Sequence, residues 1–198
     1  MQEDSLFVTG SMSQGMVHYN RISEFITAQK PAEAKGSVYR LEVGYPVFVN
    51  DGSSSVAGHF VQFSKHEILF KLLDEFHGYS LRNPEKSLYL RNEIEVTVEN
   101  QNIKTQVYSI HPNKIPRTAT PISDGNWKKA IAERAPLTES LTKNQRTYVQ
   151  KLGRSTGRDI VPINLDLYRE LMNKGLIVDK GRRLALTALG QEVFHFLE

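Results

Sequence analysis

Glu67-Ile68-Leu69-Phe70-Lys71-Leu72-Leu73-Asp74-Glu75-Phe76-His77-Gly78-Tyr79 is the stretch from which the fold can be read. Ile68, Leu69, Leu72, Leu73 and Phe76 fall at i, i+1, i+4, i+5 and i+8, one apolar stripe on a helix, and Gly78 is placed to stop it. Downstream, Leu88 to Val98 and Ile103 to Ile110 alternate with period two about Asn100-Gln101-Asn102, which predicts a hairpin. In its first strand Ile94, Val96 and Val98 point one way and Glu93, Glu95 and Glu99 the other. Upstream, Leu6 to Thr9 reads as a short buried strand ending at Gly10, and Tyr19 to Ile26 has helical spacing. Ser37 to Leu41, Val47 to Val49 and Val56 to Phe63 read as further short strands separated by Gly, Pro, Asn and Asp. Strands and helices mix without strict alternation, which points to an α+β fold.

Prolines 112, 116 and 121 bar a helix or a central strand from crossing that segment. The expected organisation is therefore a domain over 1–111, a linker over 112–138 and a small module over 139–198. Composition excludes several classes. Among 198 residues there is no cysteine, so disulfides, thiolate zinc sites and thiol nucleophiles are ruled out. No apolar run approaches the ~18 residues of a spanning helix. The acidic start Met1-Gln2-Glu3-Asp4 is unlike a signal peptide, so a cytoplasmic protein without membrane attachment is expected. Residues 1–138 carry 15 basic and 15 acidic side chains, and residues 139–198 carry 10 and 7, so the net +3 lies wholly in the tail.

Four local features, in order, resemble the gamma-glutamylcyclotransferase-like family. Leu6-Phe7-Val8-Thr9-Gly10-Ser11-Met12 is similar to its apolar strand ending in Tyr-Gly-Ser/Thr-Leu. Gly44-Tyr45-Pro46 followed by Val47 is the second. Leu73 to Tyr79 is similar to Leu-Asp-x-Phe-Glu-Gly-Tyr, and Tyr89-Leu90-Arg91 to Tyr-x-Arg ahead of a strand. The resemblance covers about residues 5–111. It implies a small barrel-like mixed sheet with flanking helices, a pocket at the first loop, no cofactor, and release of 5-oxoproline from a γ-glutamyl amine or peptide by a transferase or lyase.

A Gly-Ser turn exposes successive backbone N–H groups to a substrate carboxylate. The reaction needs a base for the α-ammonium and an acid for the leaving amine, and one glutamate serves the family as both. His77 stands at that position. It could shuttle a proton near its unperturbed pKa of ~6.5, but it lacks the carboxylate's attraction for the ammonium. Thr9 replaces the tyrosine and Met12 the leucine of the first motif. The implied substrate-binding set is Thr9, Gly10, Ser11, Met12, Tyr45, His59 and Tyr89, with His59 and His77 facing one cavity and His77 as the catalytic candidate. A third zinc ligand near them could come only from Asp74, and catalytic zinc wants three protein ligands, so no metal is expected.

The tail resembles the end of a winged-helix domain. Leu171 to Ile177 and Arg182-Arg183-Leu184-Ala185-Leu186-Thr187 with Gly190 give a helix, Gly-Leu-Ile, a short wing, then Leu-Thr-x-x-Gly. Helices are expected over Leu141 to Leu152, over Asp166 to Lys174 with Asn164 as cap, and from Ala188. Arg154-Ser155-Thr156-Gly157-Arg158 and Lys180-Gly181-Arg182-Arg183 could meet phosphates, while Asp166 and Glu170 on the second helix oppose it. A pocket enzyme and a non-catalytic metabolite-binding regulator, whose tail contacts nucleic acid or a protein, are both consistent with these residues.

Overall fold

A computed structural model describes residues 5–156 and 159–198. Gly157 and Arg158 of the phosphate candidate, and the acidic start, lie outside the described residues. Two compact units are present, one of residues up to Leu41 and Tyr45–Glu133, the other of Glu42–Gly44 and Arg134–Glu198.

In the first unit the strands are β1 (Ser5–Val8), β2 (Ile26–Arg40), β3 (Pro46–Phe63), β4 (Tyr89–Val98), β5 (Gln101–Ile110) and β6 (Thr120–Pro121); the helices are α1 (Asn20–Ser23), α2 (His66–His77) and α3 (Trp127–Glu133). The sheet runs β3-β1-β5-β4-β2-β6, and β2 pairs with β3 as well, so the pairings of the first five strands return on themselves. All ladders are antiparallel except β1–β5. This is a mixed α+β fold.

Alternation along the strands sorts side chains into two cores. Phe7, Ala32, Ala34, Val38, Phe48, Val56, Phe60, Ile94, Val96, Val98 and Val107 form one, and Trp127 of α3 joins them. Leu6, Val8, Val61, Phe63 and Tyr108 face the other way and are covered by Ile22, Phe25, Leu69, Phe70 and Leu73. Residues 112–133, expected to be linker, thus hold an edge strand on β2 and a core tryptophan.

Local departures from expectation have physical causes. The helical spacing of 19–26 yields only α1, because Ile26 enters β2. Asn50 to Ser53, expected to separate two strands, form a wide bulge: Gly36 pairs with Ser54 while Ser37 pairs with Val49. The hairpin turn sits at Glu99-Asn100, both at positive φ (49° and 64°), one residue earlier than expected. On α2, Leu69, Phe70 and Leu73 are buried, whereas Ile68 and Leu72 of the expected stripe are about half exposed. Gly78 ends the helix in the left-handed conformation, φ 61°.

One close approach sets how β1 lies on β3. A Cβ at Gly58 would lie 2.5 Å from the Phe7 ring and 2.6 Å from the Val8 carbonyl oxygen. Gly58→Ala should therefore push β1 outward and cost about 1–3 kcal/mol. A thermal melt unchanged from the wild type would contradict this.

In the second unit lie α4 (Lys143–Arg154), α5 (Leu165–Asn173), β7 (Ile177–Asp179), β8 (Leu184–Leu186) and α6 (Ala188–Leu197), with β7 and β8 antiparallel. Thr142 and Gln145 form a capping box on α4, Asn164 caps α5 and Thr187 caps α6. Leu152, Leu171, Leu176, Ile177, Val193 and Phe196 are buried. No helix among the described residues is long and apolar enough to cross a membrane.

Candidate functional site

The site is built where β1 ends against the last turn of α2. Val8 leads through Thr9 into a 3-10 turn over Gly10–Met12, opened by Gly10 at φ 66°. A side chain at Gly10 would approach the Pro46 carbonyl to 3.0 Å, so Pro46 of the second motif packs behind the first one. Thr9 donates to the Ala57 carbonyl at 3.4 Å, Ser11 is half-buried, and Met12 is 5% exposed in the core under α2.

From the turn a chain of contacts leads to His77. The Ser11 hydroxyl and His18 Nδ1 are 3.3 Å apart, and the His18 backbone N–H donates to the Ser11 carbonyl at 2.9 Å. The His18 ring meets Phe76 edge to face, centroids 4.7 Å apart, and Phe76 meets His77 at 5.0 Å. His77 stacks on Tyr108 (4.2 Å, 19°) and tilts against Tyr89 at 4.8 Å. Glu75, two residues before His77, is exposed and takes no part in this chain of contacts.

The spacing of the third and fourth motifs has a structural reason. Tyr108 Oη donates to Asp74 at 2.6 Å, and Arg91 approaches the same carboxylate at 3.5 Å while lying over the Phe70 and Tyr79 rings. Asp74 and Arg91 are thus committed to joining α2 to β4 and β5. Burial and the hydrogen bond to Asp74 push the Tyr108 phenol far above its usual range, so His77 rests on a neutral ring. A cleft of about 550 Å³ opens alongside this network, lined by His66, Lys71, Arg91 and Gln106 among others.

Tyr89 is 8% exposed and Tyr45 1% exposed, the Tyr45 carbonyl accepting the Leu41 N–H at 2.9 Å. His59 comes from β3. It pairs with Val8 and Pro31 on β3, and β1 separates β3 from β5, so its backbone is about two strand spacings, ~10 Å, from that of Tyr108. Its Nδ1 is buried without a hydrogen-bond partner among the described residues. Burial and the nearby Lys128 ammonium lower its pKa from 6.5. A base whose pKa is lowered on folding is stabilising above its unfolded pKa, and that contribution is lost as pH falls below about 6.5. Lys128→Gln should raise the His59 titration midpoint and flatten the acid side of the stability curve; an NMR titration of His59 that does not move would contradict this.

His18 carries no sequence motif. It is one of six histidines, and only the return of the 11–18 loop places it against Ser11.

The model of the family described as "Gamma-glutamyl cyclotransferase, AIG2-like" matches residues 6–129. The chain belongs to this family. The match runs past the prolines to Trp127, in keeping with that residue's burial in the first unit. YkqA from Bacillus subtilis is similar in structure, with a TM-score of 0.50, 17% identity, 70% of this chain covered and 43% of that one. This chain therefore spans less than half of YkqA. A protein from Arabidopsis thaliana, solved in solution, gives 0.48 at 21% identity, covering 82% of this chain and 93% of its own. An uncharacterized protein from Pyrococcus horikoshii gives 0.44 at 15% identity, covering 66% and 94%. No curated protein matches the chain. The family match over residues 6–129 establishes an AIG2-like, cyclotransferase-type domain.

Proposed function

We propose that the turn at Gly10–Ser11 and the end of α2 form a pocket for a γ-glutamyl amine or peptide, with His77 in the place of the family's glutamate. The observation that carries this reading is the contact chain from Ser11 through His18 and Phe76 to His77, which stacks on a neutral Tyr108. The backbone N–H groups of the turn suit the substrate's α-carboxylate. His77, as neutral imidazole, takes a proton from the α-ammonium; the amine attacks the γ-carbonyl carbon, the amide C–N bond breaks, and the proton goes to the departing amine. The products are 5-oxoproline and the free amine. In this reading the closed circuit of β-pairings is the family's barrel-like sheet, and the setting is cytoplasmic. Incubating the full chain with a series of γ-glutamyl dipeptides should release 5-oxoproline. Absence of 5-oxoproline from every dipeptide, with no gain on His77→Glu, overturns the reading.

A second reading draws on the tail. Lys180, Gly181 and Arg182 are exposed at the tip of the β7–β8 hairpin, the position of a wing in a winged-helix module. In this reading residues 139–198 contact nucleic-acid phosphates and the pocket is regulatory. Arg154 is already paired with Glu198 at 2.8 Å, and Glu170 of α5 accepts from Gln145 at 2.8 Å. Salt-dependent binding of the full chain to duplex DNA or RNA would support it, and no binding at low salt would exclude it.

A further inference from the structure

We infer that the cleft along α2 is a binding site for a free, zwitterionic α-amino acid with a neutral side chain. The cleft encloses about 550 Å³, and its lining does not include the turn at Gly10–Ser11. That volume accommodates a small molecule of this class. The lining carries both signs of charge around an apolar wall. Glu67 and Lys71 come from successive turns of α2, Arg91 from β4 and the Gln106 amide from β5, with Phe70 beside them. A cleft of one sign suits a simple ion. A carboxylate and two cations about an aromatic ring suit a molecule that bears an ammonium, a carboxylate and an apolar portion.

The polar groups of the cleft are available to a ligand. Glu67 and Lys71 stand at i and i+4, in the order that ordinarily pairs on a helix. They nevertheless make no ion pair with each other or with any other described residue, and both are exposed. Gln106 is half-buried, and its side-chain amide makes no hydrogen bond among the described residues. Arg91 is held over the Phe70 and Tyr79 rings and approaches Asp74 at 3.5 Å. Contact through a ring face uses the guanidinium's charge and leaves its N–H groups unused. A separation of 3.5 Å is also long for a charge-assisted hydrogen bond, so holding α2 to β4 does not exhaust its donors. Asp74 already accepts from Tyr108, which leaves Glu67 as the acceptor for an ammonium. In this assignment the ligand's carboxylate takes Lys71, Arg91 and Gln106, its ammonium takes Glu67, and its side chain lies on Phe70.

The test is a proton NMR titration of the full chain, read at the His66 ring, which also lines the cleft. Its signals are assigned by their loss in His66→Gln. L-leucine and L-phenylalanine should shift them saturably. N-acetylleucine lacks the ammonium and leucinamide the carboxylate, so each should bind roughly tenfold more weakly than leucine, the loss of one contact to a charged group. Lys71→Gln and Glu67→Gln alter exposed side chains and should each weaken leucine by a similar factor. Glu67→Gln should leave N-acetylleucine unchanged, because that probe has no ammonium to hold. Arg91 is left in place, since its loss would loosen α2 from β4. No saturable shift with either amino acid, up to its solubility, overturns the inference. Equal binding of leucine and its two derivatives, or of leucine to the wild type and to Lys71→Gln, also overturns it. N-acetylleucine binding as tightly as leucine, with leucinamide weak, would make the cleft an anion site and overturn the assignment to a zwitterion. Because the readout is binding at His66, it stands apart from whether γ-glutamyl dipeptides yield 5-oxoproline.

Discussion

Trp127→Ala should destabilise the first unit by about 3–5 kcal/mol, the range for deleting a large buried aromatic. Trp127 is 1% exposed and packs with Phe7, Phe48, Val56 and Val96 in one core of the circuit of strands. Its indole N–H donates to the Ala57 carbonyl at 3.0 Å. Alanine would leave a cavity between strands that cannot collapse without breaking ladders, and would strip that carbonyl of a partner. Trp127→Phe keeps most of the apolar contact and loses the hydrogen bond, so about 1 kcal/mol is expected. Since Trp127 is the single tryptophan, the variants need far-UV circular dichroism in urea rather than fluorescence. A midpoint shift worth less than about 1 kcal/mol for Trp127→Ala, against the cost of an emptied core site, would mean that α3 is an attachment to this unit and not part of its core.

The elements legible in the sequence are those whose buried faces are made of large side chains. The β4–β5 hairpin shows alternating Ile94, Val96 and Val98, and α2 shows its apolar spacing and glycine stop. The first half of β2 gives no such sign of a strand. Its inward positions are Ala32, Ala34 and Gly36, which carry almost no hydropathy signal although they alternate with Glu33 and Lys35. They are small because the interior is crowded: a Cβ at Gly36 would lie 2.5 Å from the Phe48 ring. The period is present and the amplitude is not. The converse holds on α2, where Ile68 and Leu72 are apolar yet outside the core, while Phe70 is turned inward.

The site is legible to a similar extent. Motif order brings Gly10, Ser11, His77 and Tyr89 to one end of the sheet, but it says nothing of why the motifs are spaced as they are. The answer is Asp74, which accepts from Tyr108 and faces Arg91, so that the third and fourth motifs are two halves of one polar joint. Pairing His59 with His77 rests on the resemblance, in which both stand where family members carry glutamate. In the structure His59 lies beside Lys128 and His77 on Tyr108. His18 cannot be found from pattern, because its role depends on a loop closing back on itself.

His77→Glu should raise kcat/KM for release of 5-oxoproline from a γ-glutamyl dipeptide by roughly 10²-fold, the lower end of what a well-placed general base contributes. A carboxylate at this position attracts the substrate ammonium that imidazole does not, so part of the gain should appear in KM. Its pKa should lie above the ordinary glutamate value of ~4.3. The buried, neutral Tyr108 ring beneath it offers poor solvation, and the Asp74 carboxylate, about one turn back on α2, is a like charge. Activity of the variant should therefore rise with pH through a midpoint above ~4.3. His77→Gln fills the same space without a base and should lose turnover while keeping the fold, which separates proton transfer from packing. If the glutamate variant is folded and binds the dipeptide but gains no kcat, residue 77 is a wall of the pocket and the proton is moved elsewhere.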